Sequence, residues 1–157
     1  KAIINLQSKI NKKIYVTHQG RIEDLRKIKN FYNSNYLKCN VSDYFYNMQS
    51  LINMSDIIIS RSGSSTTNEI IFSEKPSILI PFPYAVDDHQ FFNAVSLSKI
   101  NCSKIIRNED LNFTNLSLEI FRLLNFEKKS GYIGSKLSRI KIVNCSENIL
   151  SKLYEFK

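Results

Sequence analysis

The sequence predicts an α/β fold, a mainly parallel sheet with helices on both faces, from two observations. Short aliphatic or β-branched runs alternate along the chain with segments whose apolar residues recur at helical spacing, the sign of successive βαβ units. Two of those runs, residues 56–60 (DIIIS) and 76–81 (PSILIP), are apolar without alternation, as in strands covered on both sides.

Taken in order, residues 1–12 set Ile3, Ile4, Leu6 and Ile10 near one helical face. Residues 13–18 (KIYVTH) are short and β-branched, a strand. Residues 21–33 carry Ile22, Leu25, Ile28, Phe31 and Tyr32 at helical spacing. Residues 36–41 read as a second strand and 46–54 as a short amphipathic helix, followed by the strand at 56–60. A polar stretch, 61–69 (RSGSSTTNE), then runs into Ile70, Ile71 and Phe72. After the strand at 76–81, a polar loop leads into a helix over residues 89–100. Residues 102–106 make another strand, and 113–126 and 145–156 read as helices, with Gly131 and Gly134 punctuating the stretch between. No repeat or low-complexity tract occurs, and prolines are too sparse for a linker.

A length of 157 residues suits one domain with a real core. Hydrophobic content of 43% and charged content of 23% lie in the globular range, which excludes disorder. No apolar run reaches the roughly 18 residues of a transmembrane helix. The start at Lys1 has neither an initiator Met nor a signal-peptide layout, so the chain reads as a piece of a longer protein. Cys39, Cys102 and Cys145 are odd in number and widely spaced, with no metal-type pair; reduced, buried thiols of a cytosolic protein are expected. The net charge of +8 comes from scattered lysines rather than a dense block. That spacing does not fit a nucleic-acid binder, and aromatics at core spacing make no stacking platform. It leaves solvated surface and some attraction to an anionic membrane.

In a parallel sheet, ligands bind beyond the carboxyl ends of the strands, so the loops after His18, Val41, Ser60 and Pro81 are the places to look. In the loop after Ser60, Gly63 permits a tight turn and close approach of a ligand to the backbone. Ser64, Ser65 and Thr66 bring hydroxyls and, at a helix start, free N–H groups that attract phosphate. Glu69, one turn on, is placed to accept two hydrogen bonds from a ribose diol. The same spacing equally suits a capping box, with Thr66 as cap and Glu69 three residues later. In the loop after Pro81, Gln90 is able to donate to and accept from sugar hydroxyls. Taken alone, that loop fits better with Asp87 or Asp88 as a helix cap and with His89 and Gln90 as exposed first-turn residues.

Together these segments resemble the MurG family of GT-B glycosyltransferases. The resemblance rests on residues 55–63 (SDIIISRSG), Glu69, Lys75 with Pro76, residues 81–85 (PFPYA), residues 88–90 (DHQ), and Asn93 with Ala94. It covers residues 14–107 well and the flanks loosely. It implies a Rossmann-like sheet, the C-terminal half of a GT-B fold, with the first strand and its Gly-rich phosphate loop missing before Lys1. It also implies a single donor-binding domain over residues 1–157 that takes UDP-N-acetylglucosamine. Glu69 would hold the ribose, and Ser65 and Thr66 the diphosphate. Ser64 would offer its N–H to the sugar, with His89 and Gln90 also at sugar-binding positions. His89 stands where some members have Gln. The main chain of Phe45 would read the uracil while its ring joins the core. Arg61 would anchor its loop, and residues 18–20 (HQG) fit packing better than ligand contact.

The implied reaction is inverting transfer of N-acetylglucosamine to the muramyl 4-hydroxyl of lipid I at the cytoplasmic face of the bacterial inner membrane. The acceptor and the general base would belong to an absent N-terminal domain, so this piece alone would not transfer sugar. A helix N-terminus, rather than a chelated metal or a cofactor, would stabilise the departing UDP, and no D-x-D metal motif occurs. Other readings are a different UDP-sugar GT-B transferase, one acting on diacylglycerol for instance, a UDP-sugar epimerase, or a non-catalytic donor-binding subunit with a membrane-bound partner.

Overall fold

The computed structural model describes residues 1–99 and 103–130. The elements run α1 (Ala2–Gln7), β1 (Tyr15–Gln19), α2 (Ile22–Ser34), β2 (Lys38–Ser42), α3 (Met48–Met54), β3 (Ile58–Ser60), α4 (Ser64–Ser73), β4 (Ser77–Leu79), α5 (His89–Ser98), β5 (Ser103–Ile105) and α6 (Phe113–Ser130). Each lies where the periodicity puts it, within a few residues at the ends, except that α1 stops well short of residue 12. Cys102, Cys145, Ile100, Gly131, Gly134 and the helix expected over 145–156 fall outside the described residues.

Every strand pair is parallel, in two sheets ordered β1-β2 and β3-β4-β5. Successive residues of a strand face opposite sides, and β4 shows what that does. Leu79 packs with Ile70 of α4 and Ala94 and Leu97 of α5, joined by Ile58 and Ile105. Its neighbour Ile78 turns the other way, onto Leu6 of α1 and Ile120 and Leu123 of α6, with Ile106. Helices therefore cover both faces of the three-stranded sheet, and β4 is the doubly covered strand its apolar run predicts, with all three residues buried.

β3 departs from that expectation. Ile59 shares its face with Ile78, yet it is 38% exposed. The reason is position: β3 is an edge strand, and α1 and α6 lie over the sheet centre, leaving Ile59 and Lys104 at the margins of that face open. In the two-stranded sheet α2 packs on β2, and alternate residues (Tyr15, Thr17, Gln19, Lys38, Asn40) are exposed. Cys39 is accordingly half-buried rather than buried, its thiol 3.9 Å from Asn33 Oδ1. Across β4 and β5 the buried hydroxyls of Ser77 and Ser103 hydrogen-bond to each other, which leaves neither orphaned among apolar neighbours. Among the described residues, no helix is long and apolar enough to cross a membrane.

α4 ends on Glu74, which is left-handed at φ 54 and ψ 28. A side chain there pays a steric cost that glycine avoids. Glu74→Gly is expected to raise stability by about 0.5–1 kcal/mol in urea unfolding; a loss of stability would contradict the left-handed cap.

Candidate functional site

β3 stops at Ser60, and residues 61–63 carry the chain into α4, whose N-cap is Gly63 at φ −62 and ψ 154. That is ordinary extended backbone, so the tight-turn role expected of Gly63 is not what the position needs. What glycine leaves is space: a Cβ built there meets nothing within 4 Å. The capping-box alternative fails, because the helix begins at Ser64, two residues before Thr66, and no side chain caps it. The first closed bond is from Thr67 N–H to Gly63 C=O, 2.9 Å, and the Thr67 hydroxyl donates to the carbonyls of Gly63 and Ser64. Among the described residues, the N–H groups of Ser64, Ser65 and Thr66 have no partner. Three unpaired donors at the positive end of a ten-residue helix, beside an open glycine, are chemically suited to an anion. Glu69, half-buried in the second turn, has no hydrogen-bond or ion-pair partner among the described residues.

Because the fold tolerates a methyl group at Gly63 while a bound anion would not, Gly63→Ala separates the two. Stability is expected to stay within about 1 kcal/mol of wild type, while phosphate-containing ligands bind at least about tenfold more weakly. Equal ligand affinity in the variant would show that nothing approaches this backbone.

Arg61 donates to the carbonyls of Ile80, 3.1 Å, and Pro81, 2.9 Å, and lies 5.6 Å from the Phe82 ring centroid. It ties the loop after β3 to the loop after β4. The second loop then passes through Asp87 and Asp88, both left-handed with φ 51 and 50, before α5 begins at His89. Asp88 occupies the N-cap position but makes no capping bond. Its carboxylate instead meets Arg107, 3.5 Å away, whose guanidinium lies over Phe91 at 3.8 Å.

His89 Nδ1 donates to Val86 C=O at 2.7 Å, so a neutral ring presents Nε2 outward as an acceptor. Gln90 Oε1 accepts from Phe82 N–H at 3.0 Å, which leaves Gln90 Nε2 as its free end, a donor. The sequence had left Gln90 free to do both. Two further bonds fasten this helix start to the first loop. Buried Ser62 donates from Oγ to Gln90 C=O at 2.7 Å, and Asn93 Nδ2 donates to Ser62 C=O at 3.1 Å. Nothing in the spacing flags this tie, since Ser62 reads as one more polar loop residue and Asn93 as a helix-face amide.

Phe45 lies between β2 and α3 with its ring buried, and α3 packs on α4. Its N–H and C=O have no hydrogen-bond partner among the described residues. His18 does not reach this assembly: Nδ1 is 2.8 Å from Tyr32 Oη and the rings meet edge to face, so it packs α2 onto the sheet. Burial holds the His18 pKa below its ordinary value. The unfolded chain therefore binds the proton more readily, and stability rises with pH through this group. Wild type should lose melting temperature as pH falls below about 6.5, and His18→Gln should lose less over the same range. Ser64, Ser65 and His89 are exposed, and Thr66, Glu69 and Gln90 are half-buried. A cavity of about 150 Å³ lined by Phe82, Asp88 and Arg107 adjoins the start of α5, and one of about 330 Å³ lies beside Tyr32 and Phe113.

The fold recurs in known proteins. The solved structure of Acinetobacter baumannii MurG matches with a TM-score of 0.81 at 21% identity, over 98% of this chain and 44% of that one. The glycosyltransferase VinC, solved with dTDP, matches with a TM-score of 0.68 at 16% identity, over 99% of this chain and 37% of that one. Both have the parallel α/β arrangement implied by the sequence resemblance. In sequence, the chain is 33% identical over 123 residues to the UDP-N-acetylglucosamine--N-acetylmuramyl-(pentapeptide) pyrophosphoryl-undecaprenol N-acetylglucosamine transferase of Rickettsia bellii, covering 78% of this chain and 35% of that protein. It is 38% identical over 116 residues to the transferase of the same name from Agrobacterium fabrum, covering 74% of this chain and 31% of that protein. The chain thus spans about a third of the length of these relatives. Residues 1–141 match the family model described as glycosyltransferase family 28 C-terminal domain, and the chain belongs to that family.

Proposed function

We propose that this chain is the donor-binding C-terminal domain of an N-acetylglucosaminyltransferase that converts lipid I to lipid II in peptidoglycan synthesis. The observation that carries the reading is the start of α4: three N–H groups beside an open glycine and a carboxylate at Glu69, all without a partner among the described residues. A nucleoside diphosphate sugar suits each part. Its phosphates are anions for Ser65 and Thr66, and its ribose diol gives Glu69 two donors. Its sugar hydroxyls suit the donor of Gln90 and the acceptor of His89, with the Ser64 N–H also toward the sugar. The free N–H and C=O of Phe45 are complementary to the edge of a uracil, so UDP-N-acetylglucosamine is the proposed ligand. In transfer with inversion, charge grows on the departing UDP, and the N–H groups of α4 are already oriented to stabilise it.

The lipid-linked acceptor and the general base are assigned to a preceding N-terminal domain, in keeping with relatives more than twice as long. Upstream chain is also proposed to supply a parallel strand to β1 and β3, each of which keeps one unpaired edge among the described residues. Attachment to the anionic inner surface of the bacterial membrane accords with the net charge of +8.

The test is calorimetric titration with UDP-N-acetylglucosamine, UDP-glucose and ADP-glucose. Tightest binding of UDP-N-acetylglucosamine supports the reading. Preference for UDP-glucose would point to another UDP-sugar enzyme, and equal, weak binding of all three would sink the donor-site assignment.

A further inference from the structure

We propose that Ser62 and Asn93 are positioning residues that lock the phosphate-binding start of α4 and the sugar-facing start of α5 into one register. The proposal rests on the nucleotide-sugar reading of the site and adds to it the pair of residues that couples its two halves.

The geometry is a closed set of bonds. Ser62 is wholly buried, one residue before the N-cap of α4, and its hydroxyl donates to Gln90 C=O at 2.7 Å. Asn93, three residues after Gln90 in the same helix, donates back to Ser62 C=O at 3.1 Å. The main chain beside the anion site is thus held from both its hydroxyl and its carbonyl by one turn of α5. Gln90 is then fixed at its far end by Phe82 N–H, 3.0 Å from Oε1. With its oxygen anchored there, the free end of Gln90 is its Nε2 amide, a donor suited to a sugar oxygen.

Neither Ser62 nor Asn93 contributes a group to the ligand in this scheme. Their effect follows from distance tolerance: a hydrogen bond to a sugar hydroxyl needs its donor held within about 0.5 Å. The phosphates anchor the ligand on α4, whereas Gln90 sits on α5. Slippage of one helix past the other costs the sugar contact and leaves the phosphate contact intact. A role confined to stability would instead weaken both alike.

That difference is measurable on the full chain as the ratio of Kd for UDP to Kd for UDP-N-acetylglucosamine. Ser62→Ala and Asn93→Asp, the second isosteric but unable to donate, are each expected to shrink that ratio by roughly five- to tenfold. UDP affinity alone should stay within about twofold of wild type. Gln90→Ala should shrink the ratio as well, and adding Ser62→Ala to it should change nothing more, because a positioning residue acts only through the group it positions. Equal weakening of UDP and UDP-N-acetylglucosamine, or full additivity of Ser62→Ala with Gln90→Ala, overturns the proposal while leaving the site reading intact. A wild-type chain that binds the two ligands equally overturns the nucleotide-sugar reading and this proposal together.

Discussion

Glu69→Ala is expected to weaken binding of UDP-N-acetylglucosamine by roughly ten- to a hundredfold, the loss of about 1.5–3 kcal/mol of charge-assisted hydrogen bonding. The expectation comes from what Glu69 lacks. It is half-buried on a helix of mixed polarity, yet no lysine, arginine or backbone donor among the described residues meets its carboxylate. A carboxylate so placed contributes little to the folded state by itself, and its removal should leave the melting temperature nearly unchanged. With a ribose diol present, the same group accepts two hydrogen bonds at once. Glu69→Gln keeps an acceptor without the charge and should fall between wild type and Glu69→Ala. The loss should follow the ribose, so UDP and UDP-N-acetylglucosamine lose affinity by the same factor, and inorganic phosphate loses none. Titration of the three ligands against both variants checks this. An affinity for UDP unchanged in Glu69→Ala would remove Glu69 from the site.

How much of this was legible in the sequence depends on which interactions set each feature. The order of strands and helices was legible because hydrophobic periodicity is local: Ile70, Leu79 and Leu97 declare their faces through neighbours a few residues away. The loops after Ser60 and Pro81 were legible as candidate ligand loops because topology alone sends the carboxyl ends of parallel strands to one edge. The exposure of Ile59 was not, since an edge strand and a central strand of the same composition look alike until pairing is known. The roles within the second loop were also hidden. Asp88 looks like a helix cap by local rules, but Arg107, far along the chain, takes its carboxylate, and the left-handed backbone at Asp87 and Asp88 turns the helix start. Gln90 likewise looks like an untethered side chain until the Phe82 N–H bonds to its oxygen. At Gly63 the conformational reason is one that the backbone does not need, and what the position offers instead is open space. The features that escaped are contacts between distant segments, on which periodicity carries no information.

Those distant contacts stand on the core of β4, and Ile78→Ala is expected to be the most damaging single substitution to the fold, at about 2–5 kcal/mol. Ile78 is 0% exposed on the central strand, enclosed by Leu6, Ile106, Ile120 and Leu123. Removing its side chain loses its transfer free energy and leaves a void that two packed helices and a paired strand cannot easily close. Against a typical domain stability of about 5–15 kcal/mol, that loss is a large share of the total. Ile59 is the fitting control: same residue type, same face and directly paired with Ile78, but 38% exposed at the edge. Ile59→Ala should cost about 1 kcal/mol or less, because little apolar area is lost and solvent already reaches the site. Urea unfolding of both variants, with unchanged m-values, gives the comparison directly. Similar costs for the two would mean that α1 and α6 do not seal the sheet over β4. If the difference appears, the same strand that carries it also sets the ligand loops. Ile80 N–H bonds to Ser60 C=O at 2.9 Å and Arg61 holds the Ile80 and Pro81 carbonyls, so β4 is where core packing becomes loop position.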